Sequence, residues 1–260
     1  MKKLTKEQIK GPDSFIKTVA EGYKVFDHYA RWIAIAVGAV MAIGLGAIGW
    51  QKYRSSVEME AQQAFYMADK AYTEAKKSFT PPPAADAKDK DAEAKADTNK
   101  SKTASGDPDQ DYAAAIAGFR DVITKFPKTH ASFLAALSMA DIYVEHKGWD
   151  KALTALQSVR TGQGTKGLLE GAVTMMLGNV QANKGDCNAA IAAWDNVIKA
   201  KTLAYLKDEA LLRQGQCYHK LGNREKAQEI YKQVNVAAGQ KSTGQAARRY
   251  LRLLDLDGKE

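Results

Sequence analysis

Residues 178–197 read GNVQANKGDCNAAIAAWDNV, and they hold the pattern that decides the fold. Gly178 is followed by Ala190, then by the large apolar Trp194, then by Val197. The same phase returns upstream as Ala140, Ala152, Leu156 and Val159, and downstream as Gly215, Ala227, Tyr231 and Val234. Half of an earlier copy reads Ala115, Phe119 and Val122, followed by Pro127. Alanine thus recurs at 115, 152, 190 and 227, in steps of 37, 38 and 37. A fixed period of this length marks stacked supersecondary units, and the composition of each unit is helical. The turns inside the units are Lys147-Gly148, Lys184-Gly185-Asp186 and Leu221-Gly222-Asn223. Glycine stops one helix there, and Asp186 or Asn223 is placed to cap the next. The small residue of the first helix and the alanine of the second are expected where the two helices touch. The large residue one turn later is expected to plug the gap to the next unit.

The repeats span 111–236, and the chain on either side can be read from them. The first unit lacks an opening helix nearby, and Val57 to Phe79 supplies one, with Ala61, Phe65, Ala68 and Tyr72 on one face. This first exported segment, 51–79, is parted from its partner by an insertion at 80–110 that begins with Pro81-Pro82-Pro83. From Ala84 to Gln110 no aromatic or branched aliphatic residue occurs, so the insertion is expected to be disordered. Residues 237–260 carry a terminal capping helix, Thr243 to Leu256, with Arg248, Arg249 and Arg252 expected to face water.

Trp32 to Trp50, WIAIAVGAVMAIGLGAIGW, contains no charged side chain and is closed by Arg31 before and by Lys52 and Arg54 after. A helix of this length covers roughly 28 Å, about the hydrocarbon thickness of a bilayer. A buried core helix would show polar punctuation. A cleaved signal would show a small-x-small site, which Gly49-Trp50-Gln51-Lys52-Tyr53 lacks. The stretch 32–50 is therefore read as an uncleaved transmembrane helix. The leader, 1–31, carries Lys2, Lys3, Lys6, Lys10, Lys17, Lys24 and Arg31, whereas the twenty residues after the anchor carry only Lys52, Arg54 and Lys70. The positive-inside bias places the N-terminus in the cytoplasm and the remainder across the membrane. Within the leader, Phe15, Val19, Tyr23 and Phe26 form an apolar stripe from Asp13 or Ser14 onward. It suits an amphipathic helix lying on the membrane surface before the chain turns in, or one packed on another protein. Inside the anchor, Ala34, Gly38, Ala42 and Gly46 make a smooth face on which another membrane helix could lie.

The chain is 45% apolar and 26% charged, with a net charge of +8. The surplus is spread over leader, repeats and tail, so no basic footprint for nucleic acid appears. His28, His130, His146 and His219 are scattered, with no metal-ligand spacing and no phosphate-binding glycine loop. The acidic residues of the repeats have solvated helix faces to occupy. The reading is a protein that is not an enzyme and needs no cofactor or metal.

The repeat positions resemble the tetratricopeptide repeat. Tyr143 and Tyr218 fall at its usual tyrosine, Phe119, Trp194 and Tyr231 at its later aromatic, and Pro127 at its closing proline. The period is three or four residues longer than the family's, which implies longer loops between units such as Thr161 to Thr165. The fold class is accordingly all-α, a single N-terminal transmembrane helix followed by a tetratricopeptide-repeat-like α-solenoid. The resemblance implies a concave wall of first helices, and in the family's register that wall includes Leu137, Asp141, Met175, Asn179, Leu212, Gln216 and His219. Asn179 matches an asparagine of the clamp with which some members grip a terminal carboxylate. Met175 and Leu212 stand where its cations belong, so terminal-carboxylate recognition is not expected. A mixed wall of this kind suits extended or partly unfolded polypeptide.

Cys187 and Cys217 are the only cysteines, and both lie in the exported part, where oxidation is permitted. Cys187 opens the second helix of one unit and Cys217 closes the first helix of the next, so antiparallel neighbours bring them to one side. A disulfide is expected, two buried free thiols being the alternative. The whole plan of leader, anchor, aromatic-basic exit and repeats resembles the YfgM-type ancillary subunit of the bacterial Sec translocon. That resemblance implies a periplasmic scaffold or chaperone for newly exported polypeptides, anchored in the inner membrane beside the translocon and a membrane-anchored prolyl isomerase. A structural adaptor for envelope assembly or cell division, holding one folded partner, is the other reading, and a regulatory subunit of an enzyme a third.

Overall fold

The structure, a computed structural model, describes residues 14–79, 102–160 and 167–257, with the backbone alone at 14–30 and 33. The chain divides into two units, Met1–Ser56 and Val57–Glu260. Among the described residues there is no strand, and α1 (Ser14–Phe79) is the one helix long and apolar enough to cross a membrane. Its apolar window has a mean hydropathy of 1.7 and none of it is buried in this chain, as a lipid-facing segment requires.

In the first unit Trp32 and Trp50 are exposed at the two ends of the apolar stretch, and the Trp50 ring lies 6.2 Å from that of Tyr53. Interfacial aromatics behave in this way. The face made by Ala34, Gly38, Ala42 and Gly46 is open, and a Cβ added at Gly38 or Gly46 would meet nothing within 4 Å. The turn expected between leader and anchor is absent, because α1 is continuous from Ser14. No proline or loop-forming cluster separates Ser14 from Trp32, so helix propagation has nothing to stop it. The side chains of the leader's apolar stripe lie outside the described residues.

The second unit is a row of helix hairpins. Its first hairpin pairs the end of α1 with α3 (Ala113–Lys125): Phe65 packs 5.7 Å from Phe119, Ala61 and Ala68 are buried, and Gly118 lies directly under Ala68. Next come α4 (His130–Glu145) with α5 (Trp149–Ser158), α6 (Leu168–Lys184) with α7 (Cys187–Lys199), and α8 (Lys207–Lys220) with α9 (Arg224–Ala238). Finally α10 (Ser242–Asp257) packs on α9 as the terminal cap. The repeat phase holds throughout: Ala115, Ala152, Ala190 and Ala227 are at most 1% exposed, as are Phe119, Leu156, Trp194 and Tyr231. Asp186 accepts the Ala189 N–H at 3.0 Å and Asn223 that of Lys226 at 3.1 Å, each capping its helix, while Gly185 and Gly222 take the left-handed backbone before them.

Three details depart from expectation. The glycines of the first helices face the large residue of their own hairpin. A Cβ on Gly178 would lie 2.3 Å from Trp194 Nε1, and one on Gly215 would lie 2.5 Å from Tyr231 Cε1. An aromatic ring needs the backbone itself as its seat, which an alanine partner does not. Second, the expected disorder across 80–110 is too long. Residues 80–101 lie outside the described residues, but Lys102 N–H donates to Ser78 O at 2.8 Å and the Asp111 carboxylate accepts from Ser105 and Gly106. There α2 (Pro108–Asp111) begins with Asp107 as its cap and proline at its first position. Local capping bonds order this stretch with little apolar burial beyond Pro108. Third, Arg248 is half-buried and donates to Asn235 Oδ1 and Gly239 O, tying α10 to α9, while Arg249 and Arg252 face water as expected.

Thr161 to Thr165 lie outside the described residues. Between hairpins three and four the additional residues form a 3-10 turn, Lys201–Leu206, and its fully buried Leu203 fills the space above Gly171. In the turn before α5 it is Lys147, φ 57°, that carries the positive φ, while Gly148 has φ −81°. A Cβ in that region is strained, so Lys147→Gly is expected to raise stability by about 0.5–1 kcal/mol. Urea unfolding of the two proteins, compared at equal m-value, measures it.

Candidate functional site

First helices touch their successors, α4 with α6 and α6 with α8, whereas α5, α7 and α9 make at most marginal contact with one another. The row therefore bends with the first helices on the inside. On this inner wall, between α6 and α8, opens a cleft of about 230 Å³. Val144, Met176, Val180, Ala182 and Trp194 give it an apolar floor. Asn179, Asn183, Arg213, Gln216 and Lys220 give it a polar rim.

The floor follows from the repeat chemistry. Trp194, 1% exposed, lies on Gly178 and donates its indole N–H to Met175 O at 3.3 Å, which closes the hairpin and leaves the ring edge at the cleft. The rim is built on helical spacing. Met176, Asn179 and Asn183 share one face of α6, and Arg213, Gln216 and Lys220 share one face of α8. Gln216 donates to Tyr250 Oη at 2.7 Å, and Arg213 Nε donates to Glu209 at 2.9 Å. The amide oxygen of Asn179 is enclosed and accepts no hydrogen bond.

Of the wall residues read from the sequence, Asn179 and Gln216 line this cleft. Met175 and Leu212 do not: they are 8% and 6% exposed and sit in the hairpin interior. Each lies three residues before the glycine that seats the aromatic ring, hence on the same helix face as that glycine. The residues one position on, Met176 and Arg213, are the ones that face out. Leu137 is partly buried against the core, and His219 is partly buried away from the cleft lining. Asp141 is exposed on α4, yet its carboxyl is pushed above the usual range, first by burial and then by the charge of Glu145. A side chain open to water but walled by protein is what an inward-curving surface produces. Met176, Asn183, Arg213 and Lys220 were not foreseen. Their i, i+3 or i+4, i+7 spacing around Asn179 and Gln216 was visible, but not which side of each helix turned inward.

A second depression, about 320 Å³, lies on the outer side between α3 and α5, lined by Arg120, Ile123, Met139, Tyr143, Lys151 and Thr154 among others. Its polar groups serve one another. Tyr143 donates to Asp109 at 2.7 Å, and Lys151 pairs with the same carboxylate. The Lys151 bond, then that of Tyr143, holds the Asp109 carboxyl below its usual range, and burial pushes the Tyr143 hydroxyl up to about 12. This cluster fastens α2 to the second hairpin.

Beneath the first cleft, Cys187 and Cys217 are 4% and 2% exposed, their Cα atoms 5.3 Å apart and their sulfurs at disulfide distance. Among the described residues no group of three or more His, Cys, Asp or Glu is placed to hold a metal ion.

Stacked helix hairpins with an inward wall define a protein-binding α-solenoid. The family model of the tetratricopeptide repeat-like domain matches residues 24–256, and the chain belongs to that family. Its structure is also similar to one described as the crystal structure of MamA, at 18% identity and a TM-score of 0.39, over 61% of this chain and 96% of that one. Comparison with curated proteins found no match.

Proposed function

We propose that this protein is a single-pass, inner-membrane-anchored periplasmic scaffold or chaperone that holds newly exported polypeptides in their extended state beside the Sec translocon. The observation that carries the reading is the cleft on the inner wall, with an apolar floor and amides on its rim. A surface of that kind accepts a backbone with mixed side chains without reading one sequence. The apolar stretch of α1 and the excess of Lys and Arg before it support a cytoplasmic N-terminus and an exported repeat domain. The resemblance in plan to YfgM-type subunits supports the translocon, and a membrane-anchored prolyl isomerase, as neighbours.

A photo-crosslinker at Met176, in the full chain in growing cells, is expected to capture many different exported polypeptides. Purification in mild detergent is expected to bring translocon subunits along. One stoichiometric folded partner, with no translocon component, would replace this reading by the envelope-assembly or cell-division adaptor. A reporter that is active only outside the cytoplasm, fused after Glu260, is expected to be active, and silence would reverse the orientation.

A further inference from the structure

The cleft between α6 and α8 is charged as well as polar. Resting on the reading above, we propose that it selects extended polypeptide segments carrying carboxylate side chains. Arg213 and Lys220 stand two turns apart on the same face of α8, and both line the cleft. Among the described residues no aspartate or glutamate lines it. A guanidinium held at Nε by one carboxylate, as Glu209 holds Arg213, is oriented and still has its Nη donors for a second.

The α6 side supplies the complementary half. Asn179 and Asn183 place side-chain amides on the α6 rim, groups that can both donate to and accept from a bound backbone. Gln216 commits its amide nitrogen to Tyr250, which leaves its oxygen as a second acceptor. The apolar floor of Met176, Val180 and Trp194 suits the methylene stem of a glutamate. At about 230 Å³ the cleft lies below the roughly 300–1,000 Å³ typical of sites that enclose small molecules. Its scale is that of single side chains on a strand passing over it. The selectivity belongs to this cleft, since on α4 the exposed Asp141 brings a carboxyl of its own and Glu145 is already paired with Lys76 at 3.4 Å. A basic segment is repelled at α8, and a neutral one gains no ion pair.

The test uses the full chain in detergent micelles and short, unstructured, fluorescently labelled peptides with amidated C-termini. They are identical except for Glu, Gln or Lys at alternating positions. The Glu peptide is expected to bind about tenfold more tightly than the Gln peptide, the scale of one charge-assisted contact. That preference is expected to shrink as salt rises. In the Arg213→Gln, Lys220→Gln double variant the Glu-to-Gln affinity ratio is expected to fall toward one. Both positions are at least partly exposed, and circular dichroism checks the fold. Equal binding of Glu and Gln peptides, with no effect of the double variant, would overturn carboxylate selection and leave polypeptide binding standing. Tight binding only when the C-terminus is left as a free acid would overturn the side-chain form of the proposal. Failure of every peptide to bind would remove the groove reading on which it rests.

Discussion

Trp194→Ala is expected to lower the unfolding free energy by about 3–5 kcal/mol, the range for deleting a fully enclosed aromatic side chain. The ring is 1% exposed, rests on Gly178 and donates its indole N–H to Met175 O, so its loss empties the third hairpin and removes the second hydrogen bond that this helical carbonyl accepts. The hole has little means of collapsing, because α6 and α7 are each also packed against a neighbouring helix. A fall in the thermal midpoint of about 10 °C is the corresponding reading for a domain of this size. Trp194→Phe keeps most of the volume and is expected to cost less than half as much. A midpoint unchanged within error in the alanine variant would mean that the ring does not close this hairpin. The same physics runs in reverse at Gly178, where even Ala forces a shift in the ring and is expected to cost about 1–3 kcal/mol.

The second large effect is expected at the cysteine pair. Cys187 and Cys217 are separated by 30 residues, and a bond across a loop of that length stabilises by about 3–4 kcal/mol in the chain-entropy model. It would join the third hairpin to the fourth directly under the cleft, holding α6 and α8 in the arrangement that forms it. Reduction, or Cys187→Ser with Cys217→Ser, is expected to lower the urea midpoint accordingly, and to weaken peptide binding more than the loss of either hairpin's internal contacts would suggest. Mass spectrometry of peptides from unreduced protein checks the bond itself. Two free thiols in protein taken from an oxidising compartment would discard it and remove one support for export.

Most of the architecture is legible in the amino-acid sequence because it rests on periodic signals. A nineteen-residue apolar run needs no tertiary context to be recognised as a span, and alanine returning at 115, 152, 190 and 227 fixes the helix phase of every unit at once. The Asp186 and Asn223 caps are equally plain, since capping is a local bond between a side chain and the next turn. Even the Asp107-Pro108 start of α2 has a local signal, a cap followed by proline, which the composition of the surrounding insertion hides.

The candidate site is half legible. Asn179 and Gln216 fall where the repeat register puts them, while Met175 and Leu212 sit one residue away from the surface expected of them, and Arg213 and Lys220 carry no signal of their own. A one-residue error turns a helical side chain by about 100°, enough to move it from wall to core. By itself the sequence determined that this chain has a helix long and apolar enough to cross a membrane, followed by helix hairpins in a known phase, because spacing and hydropathy are properties of the chain alone. Which side of each hairpin faces inward was decided only in the folded stack. That direction is set by the seating of Trp194 on Gly178 and of Tyr231 on Gly215, contacts between helices that no spacing along one helix encodes.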